Sequence, residues 1–209
     1  AFAYPTDIVL GYRELEVIAR DALPKDAPFV LLGESFSGPI AIAIAADPPP
    51  NLIGLVLSTS FARAPVPLLA PFAALARFAP VRTMPTAVLS TLLLGRWSTP
   101  ELRRELSSAL REVAPEVLRA RAAAAMCIDV SDRLAHIAMP ALSLTANHDR
   151  LLRAGSGQQL IDTIADARPV ALDGPHLLLQ TRTDRCAVEI ARFADMLAGR
   201  RLPHGARLG

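Results

Sequence analysis

The segment Gly33-Glu34-Ser35-Phe36-Ser37-Gly38 leaves this chain the least freedom. It is preceded by the continuous apolar run Phe29 to Leu32 and followed by Pro39 to Ala46, which has no polar face. A short apolar run closed by glycine reads as a strand buried on both faces, and a helix apolar all round reads as one packed deep in a protein. Pro39 suits the first turn of that helix, where N–H groups have no intrahelical partner. Strand, tight turn and buried helix must therefore follow one another directly. Small residues at Gly33 and Ser37 let strand and helix approach, which leaves the Ser35 hydroxyl alone at the tip.

The rest of the chain repeats the alternation. Leu15, Ile18, Ala19 and Ala22 mark an amphipathic helix between Leu10 and Leu23, ended by the break at Pro24 to Pro28. Leu52 to Leu57, Ala141 to Thr145 and Pro169 to Leu172 are further strand-like runs, with a short helix expected over Gln158 to Ala165 and a closing amphipathic helix over Asp184 to Leu197. Phe61 to Met139 is a long insertion broken by prolines. Within it, Thr99-Pro100-Glu101 has the cap, first-turn proline and first-turn acid that open a helix through Val113, and a second helix is expected from Glu116 to Met126. Alternating strands and helices predict an α/β fold, a parallel sheet with helices on both faces, whose ligands bind beyond the carboxyl ends of the strands.

Composition narrows the function. The chain is 52% hydrophobic over 209 residues, enough for a substantial core. Its net charge of +2 comes from 22 basic and 20 acidic residues without a block of one sign, so nothing argues for nucleic acid as a partner. Lys25 is the sole lysine, a bias we read as coding composition rather than function. Cys127 and Cys186 are expected to be buried free thiols. The most apolar stretch, Ala64 to Pro80, is interrupted by Pro65, Pro67, Pro71 and Arg77, which excludes a spanning helix. The cytoplasm is the expected location; no targeting signal is visible, and the segment that would carry one is expected to be missing. Neither metal-ligand spacing nor a dinucleotide-binding glycine loop occurs, so no cofactor is implied.

A serine hydroxyl becomes a useful nucleophile only when a base takes its proton, and the base must itself be oriented. Of the four histidines, His176 in Asp173-Gly174-Pro175-His176 lies just past the last strand, where a loop can reach back over the sheet edge. His136 is inside the insertion, His204 is in a polar tail, and His148 directly adjoins an acid. Asp149, after the preceding strand, holds the matching place for the acid, with Asp173 as the alternative. Ser35, Asp149 and His176 then follow three strand ends in chain order. The Phe36 backbone N–H is placed to be one oxyanion donor, favoured by the helix N-terminus behind it.

With these residues the chain resembles the α/β-hydrolase family, in the branch that carries a helical cap, over nearly its whole length. Gly33 to Gly38 resembles the nucleophile elbow, with Ser37 in place of the usual second glycine. Asp149 and His176 match the acid and base, with Pro175 where many members have glycine. The resemblance implies a core over 1–62 and 140–200, a cap over 63–139 and a polar tail over 201–209. It also implies a central elbow strand, preceded by several others and by a loop supplying the second oxyanion donor. Here only Ala1 to Tyr4 could end such a strand, so the sequence is expected to be N-terminally truncated, and a weak catalyst for that reason.

The implied activity is hydrolysis of carboxylic esters or thioesters of apolar small molecules through an acyl-enzyme. Leu68, Leu69, Phe72, Leu92, Leu93, Leu94 and Trp97 are candidates for an apolar pocket, although each taken singly is more readily cap core. An acyltransferase with the same triad, or an idle binding module of the same fold, are the alternatives. Oligomeric state is left open.

Overall fold

The computed structural model describes residues 2–65, 86–152 and 154–201. Four strands, β1 (Phe29–Glu34), β2 (Leu52–Ser58), β3 (Ala141–Ala146) and β4 (Ala167–Leu172), form one parallel sheet in the order β1-β2-β3-β4. Helices α1 (Tyr12–Asp21) and α2 (Gly38–Ala46) flank β1. Helices α3 (Thr86–Leu93), α4 (Pro100–Glu112) and α5 (Pro115–Cys127) occupy the insertion. Helix α6 (Ala154–Thr163) joins β3 to β4, and α7 (Leu178–Thr181) and α8 (Thr183–Arg201) close the chain.

Side chains of successive strand residues point to opposite faces, and the core divides accordingly. On one face Leu55 and Leu57 pack with α2 residues Ile40 and Ile44, with Leu15 of α1 and with Leu160 of α6. On the other, Val56, Leu142 and Leu144 pack with Phe193 and Leu197 of α8. Parallel neighbours in sequential order with right-handed crossovers put the connecting helices on one face, so only the helix after the last strand can cover the other. Every α2 residue from Gly38 to Ala45 is buried, which is why the sequence shows no polar face there.

The expected strands and helices are all present, with shifted ends. β1 runs two residues further than its apolar run, and β4 begins two residues earlier, at Ala167. α6 spans Ala154–Thr163 rather than starting at Gln158. Residues 2–5 are not a strand, and among the described residues β1 ends the sheet, pairing with β2 alone. Cys186 is buried, but Cys127 is exposed, contrary to expectation: it is the last residue of α5, beyond the half-buried Ala124 to Met126. Neither forms a disulfide.

The two ends of the insertion are tied together. Arg63 and Asp129 form an antiparallel bridge, flanked by Ala64 N–H to Ile128 O and Val130 N–H to Ala62 O, each 2.8 Å. The Arg63 Nε donates to Asp129 Oδ2 at 2.8 Å across the same ladder. Further bonds hold the insertion to the sheet side: Ala114 N–H to Thr6 O at 2.8 Å and Leu177 N–H to Leu93 O at 3.0 Å.

Candidate active site

β1 stops at Glu34 and the chain enters a single 3₁₀ turn, Ser35–Ser37, before α2. Ser35 has φ +49°, a left-handed conformation that is costly for a residue with a side chain and that persists only where its surroundings enforce it. Two features enforce it. The Ser37 hydroxyl donates to Glu34 O at 2.8 Å and accepts from Glu34 N–H at 2.9 Å, clamping both backbone groups of the residue before Ser35. Strand and helix also meet so closely that a Cβ on Gly33 would lie 2.7 Å from the Ala41 Cβ, and one on Gly38 would collide with the Ser60 side chain. The residue that replaces the family's second glycine thus braces the turn, and Gly38 supplies a close approach that the spacing did not reveal.

His176 reaches the elbow from the loop after β4, and Asp149 comes from the loop after β3. The Ser35 Oγ lies 2.7 Å from His176 Nε2, and His176 Nδ1 lies 2.8 Å from Asp149 Oδ2. The other Asp149 oxygen accepts the N–H groups of Leu151 and Leu152, both at 2.8 Å, which fixes the carboxylate plane. His176 is 1% exposed. The three sequence candidates are therefore hydrogen-bonded in series beyond the carboxyl edge of the sheet, which is where an open α/β sheet binds its ligands.

Phe36 lies in the first turn after the strand, where its backbone N–H needs no intrahelical acceptor. Its ring stacks on Tyr12 at 4.7 Å and meets Tyr4 edge-on at 6.5 Å, and the Arg121 guanidinium from α5 lies 6.0 Å above it. Burial pushes the Tyr12 phenol up, so it stays protonated at ordinary pH. A cavity of about 120 Å³ adjoins Asp149, lined among others by Thr59, Ser60, Ser143, Asn147 and Leu152.

Other candidates lie elsewhere. His148 contacts Asp173, with Nε2 3.0 Å from Oδ1, at the surface. His136 Nδ1 lies 3.1 Å from Asp132 O, and His204 is outside the described residues. Leu94 is buried and Trp97 packs against His148 and under Arg96, while Leu68, Leu69 and Phe72 fall outside the described residues. Among the described residues no group of three His, Cys, Asp or Glu side chains is arranged to hold a metal, and no helix is long and apolar enough to cross a membrane.

The family model described as serine aminopeptidase, S33, a hydrolase family, matches residues 8–182, a span from before α1 to just past His176. The chain belongs to this family of α/β-hydrolases. Solved structures agree on the fold. This hydrolase is similar to the enol-lactonase from Burkholderia xenovorans LB400, with 24% identity and a TM-score of 0.73 over 89% of this chain and 74% of that one. It is similar to a thermophilic esterase from Thermogutta terrifontis, with 20% identity and a TM-score of 0.76 over 90% and 74%. MenH from S. aureus is 15% identical, with a TM-score of 0.76 over 94% and 80%. No curated protein sequence matches the chain.

One residue of the site carried no mark in the sequence. Glu34 turns its carboxylate toward α7, where Oε2 accepts from the Gln180 side chain at 2.9 Å and Oε1 from Leu179 N–H at 3.4 Å. The elbow motif tolerates any residue there, so its pattern gives no signal for a carboxylate. Burial pushes the Glu34 carboxyl above the usual range, opposed by the Gln180 and Leu179 bonds and by charge at His176.

Proposed function

We propose that this α/β-hydrolase cleaves carboxylic ester or thioester bonds of apolar small molecules through an acyl-enzyme on Ser35. The reading is carried by one observation, the unbroken series Ser35 Oγ to His176 Nε2 to Asp149 Oδ2 at 2.7 and 2.8 Å, with Ser35 held at positive φ. His176 Nε2 takes the hydroxyl proton as Ser35 Oγ bonds to the acyl carbon. The carbonyl π pair moves onto oxygen, where the Phe36 N–H stabilises it. Asp149 holds Nδ1–H, which keeps Nε2 free as acceptor and stabilises the imidazolium. Collapse of the tetrahedral species expels the alkoxide or thiolate, which leaves with the proton from Nε2. Water then repeats the sequence on the acyl-enzyme, His176 acting again as base and then acid, and Ser35 is regenerated.

We further take residues 63–139 as a helical cap over a core of 1–62 and 140–200. The tied ends of the insertion support that division. The apolar substrate class rests on the leucine-rich composition of the cap, and we place the protein in the cytoplasm. An acyltransferase would use the same groups with an alcohol in place of water, and alcoholysis products formed in preference to acid would identify one.

The test is labelling with an aryl phosphonate together with turnover of a short-chain aryl ester. Wild type should do both, and Ser35→Ala should lose both, turnover falling by several orders of magnitude, about ten-thousand-fold or more. A wild type that takes no label would return the fold to a binding role. A Ser35→Ala variant that keeps turnover would end the assignment of the nucleophile.

A further inference from the structure

We propose that Glu34 is a positioning residue for His176, acting as an ionised carboxylate that ties the base-bearing loop to the nucleophile-bearing turn and favours the imidazolium. The proposal rests on the triad reading above. Glu34 is the residue before Ser35, and its backbone N–H and C=O are both engaged by the Ser37 hydroxyl, so its side chain leaves a fixed point. The carboxylate spans to Leu179 and Gln180, three and four residues after His176. Between them, Leu178 N–H donates to His176 O at 2.9 Å, so the segment held by Glu34 is the one that carries His176. A partly buried carboxylate is costly unless it is hydrogen-bonded, and here Leu179 N–H and the Gln180 side chain take one oxygen each.

The charge has a specific use. His176 acquires a positive charge only while it holds the Ser35 proton, and an anion nearby is worth more to that state than to the neutral ground state. Asp149 supplies one such anion through a direct bond to Nδ1. Glu34 is the chain neighbour of Ser35, whose Oγ lies 2.7 Å from His176 Nε2, and its carboxylate is bonded to the segment that follows His176, which makes it a second anion near that ring. Glu34 also faces the Cys186 thiol of α8, which burial and then Glu34 push up, with Arg182 opposing that shift. Among the described hydrogen bonds the His176 ring is held by Ser35 and Asp149.

The decisive variant is Glu34→Gln, compared with wild type in phosphonate labelling and in kcat/KM from pH 8 down through the carboxylate range. The expected loss in kcat is about 3- to 10-fold at pH 8 with KM little changed, the size of one through-space charge interaction in a partly solvated site. The loss should shrink as the pH falls and the Glu34 carboxyl, raised by burial, takes up its proton, because a protonated Glu34 in the wild type carries no more charge than the glutamine. A purely structural role would give the same loss at every pH, and that result, or no loss at all, overturns the proposal. Gln180→Leu, at an exposed position, guards against a misfolded Glu34→Gln. It should reproduce the same pH-dependent loss more weakly, about 2-fold at pH 8, and an unchanged profile in Gln180→Leu would count against the proposal even if Glu34→Gln could not be made. A wild type that takes no label brings down the triad reading and this proposal together. A labelled wild type with a pH-independent Glu34→Gln loss brings down this proposal alone.

Discussion

Two aspartate–histidine pairs sit across the same two loops, and they are arranged crosswise. Asp149, after β3, meets His176, after β4, at 2.8 Å, while His148, the residue before Asp149, meets Asp173, three residues before His176, at 3.0 Å. Residue types and distances barely separate them; the surroundings do. The first pair is 1% and 10% exposed, and its bonds do not compete, since two backbone N–H groups occupy one Asp149 oxygen and leave the other for His176. The second is 48% and 51% exposed, and Asp173 is shared with Arg96 at 3.0 Å and Arg182 at 3.4 Å. In water-like dielectric with three cationic or potentially cationic partners, no single contact fixes the imidazole. A short Asp–His distance is therefore not enough; the pair that can prime a nucleophile is the one kept dry and committed to one partner.

The sharpest way to break this comparison is to remove each histidine in turn. His176→Ala should lower kcat/KM by about a hundred-thousandfold or more, since a triad base is lost. His148→Ala should stay within about threefold of wild type, as a screened surface contact would. Ester turnover of the two variants decides it, and a reversal of the two results would move the base to the exposed pair.

Replacing the buried acid comes next in size. Asp149→Asn keeps an oxygen for the Leu151 and Leu152 N–H groups, so the loop should hold its shape. What it loses is an acceptor for His176 Nδ1–H, which favours the wrong tautomer and should cost about ten-thousand-fold in kcat. Steady-state kinetics measure the loss, and far-UV circular dichroism checks that the fold survives. A variant that is inactive because it unfolds would show nothing about the tautomer.

Much of this arrangement is legible in the chain itself. The apolar runs bounded by Gly33 and by prolines mark the four strands, but only β2 and β3 are buried nearly throughout; β1, expected to be buried on both faces, and β4 end the sheet among the described residues and keep exposed positions such as Leu32. Chain order then singles out Ser35, Asp149 and His176, since the loops after successive parallel strands all open at one edge. The bracing by Ser37 is not legible, because a serine that clamps a turn and a serine that merely fits are the same letter. Glu34 is hidden for a related reason: its partners lie 145 and 146 positions away, on a helix of four residues with no periodic signature. Nor does the pattern reveal that His148 and Asp173 find each other, because surface pairings depend on loop geometry that hydrophobic periodicity does not encode.

Glu34 extends the contrast between buried and exposed carboxylates from rate to stability. Burial raises its carboxyl above the ordinary range in the folded chain, so the native state holds that proton more tightly than the unfolded state does. Its contribution to stability is then fully present below the unfolded carboxylate pKa of about 4.3 and is lost as pH rises through the folded value. Relative to Glu34→Gln, wild type should lose stability as the pH is raised across that window, read as the urea midpoint at several pH values. An identical pH dependence in the two proteins would show that Glu34 is solvated in the folded state.

The smallest expected effect belongs to Asp173→Asn, and it tests the exposed half of the comparison directly. Asp173 draws Arg96 from the insertion, Arg182 from the link between α7 and α8, and His148 from the loop after β3 to one carboxylate. The Trp97 ring lies under Arg96, 4.3 Å from the guanidinium carbon to the ring centroid, so the cluster pins the 95–97 turn of the insertion over both loops. A network of this extent suggests a large contribution. Yet its carboxylate is half exposed, and exposed ion pairs are typically worth only about 0 to 1 kcal/mol each, with much of that removed by screening at about 1 M salt. The Leu177 N–H to Leu93 O bond at 3.0 Å also remains to hold the insertion near His176 when the charge is gone. Asp173→Asn should therefore shift Tm by no more than about 2 to 4 °C. It should change kcat/KM by less than about threefold, and the difference from wild type should narrow as salt is raised. Thermal melts and ester kinetics at low and high salt test this. If Asp173→Asn costs as much activity as Asp149→Asn, and does so regardless of salt, the exposed aspartate is coupled to the base more tightly than its solvation allows, and the distinction between the two pairs collapses.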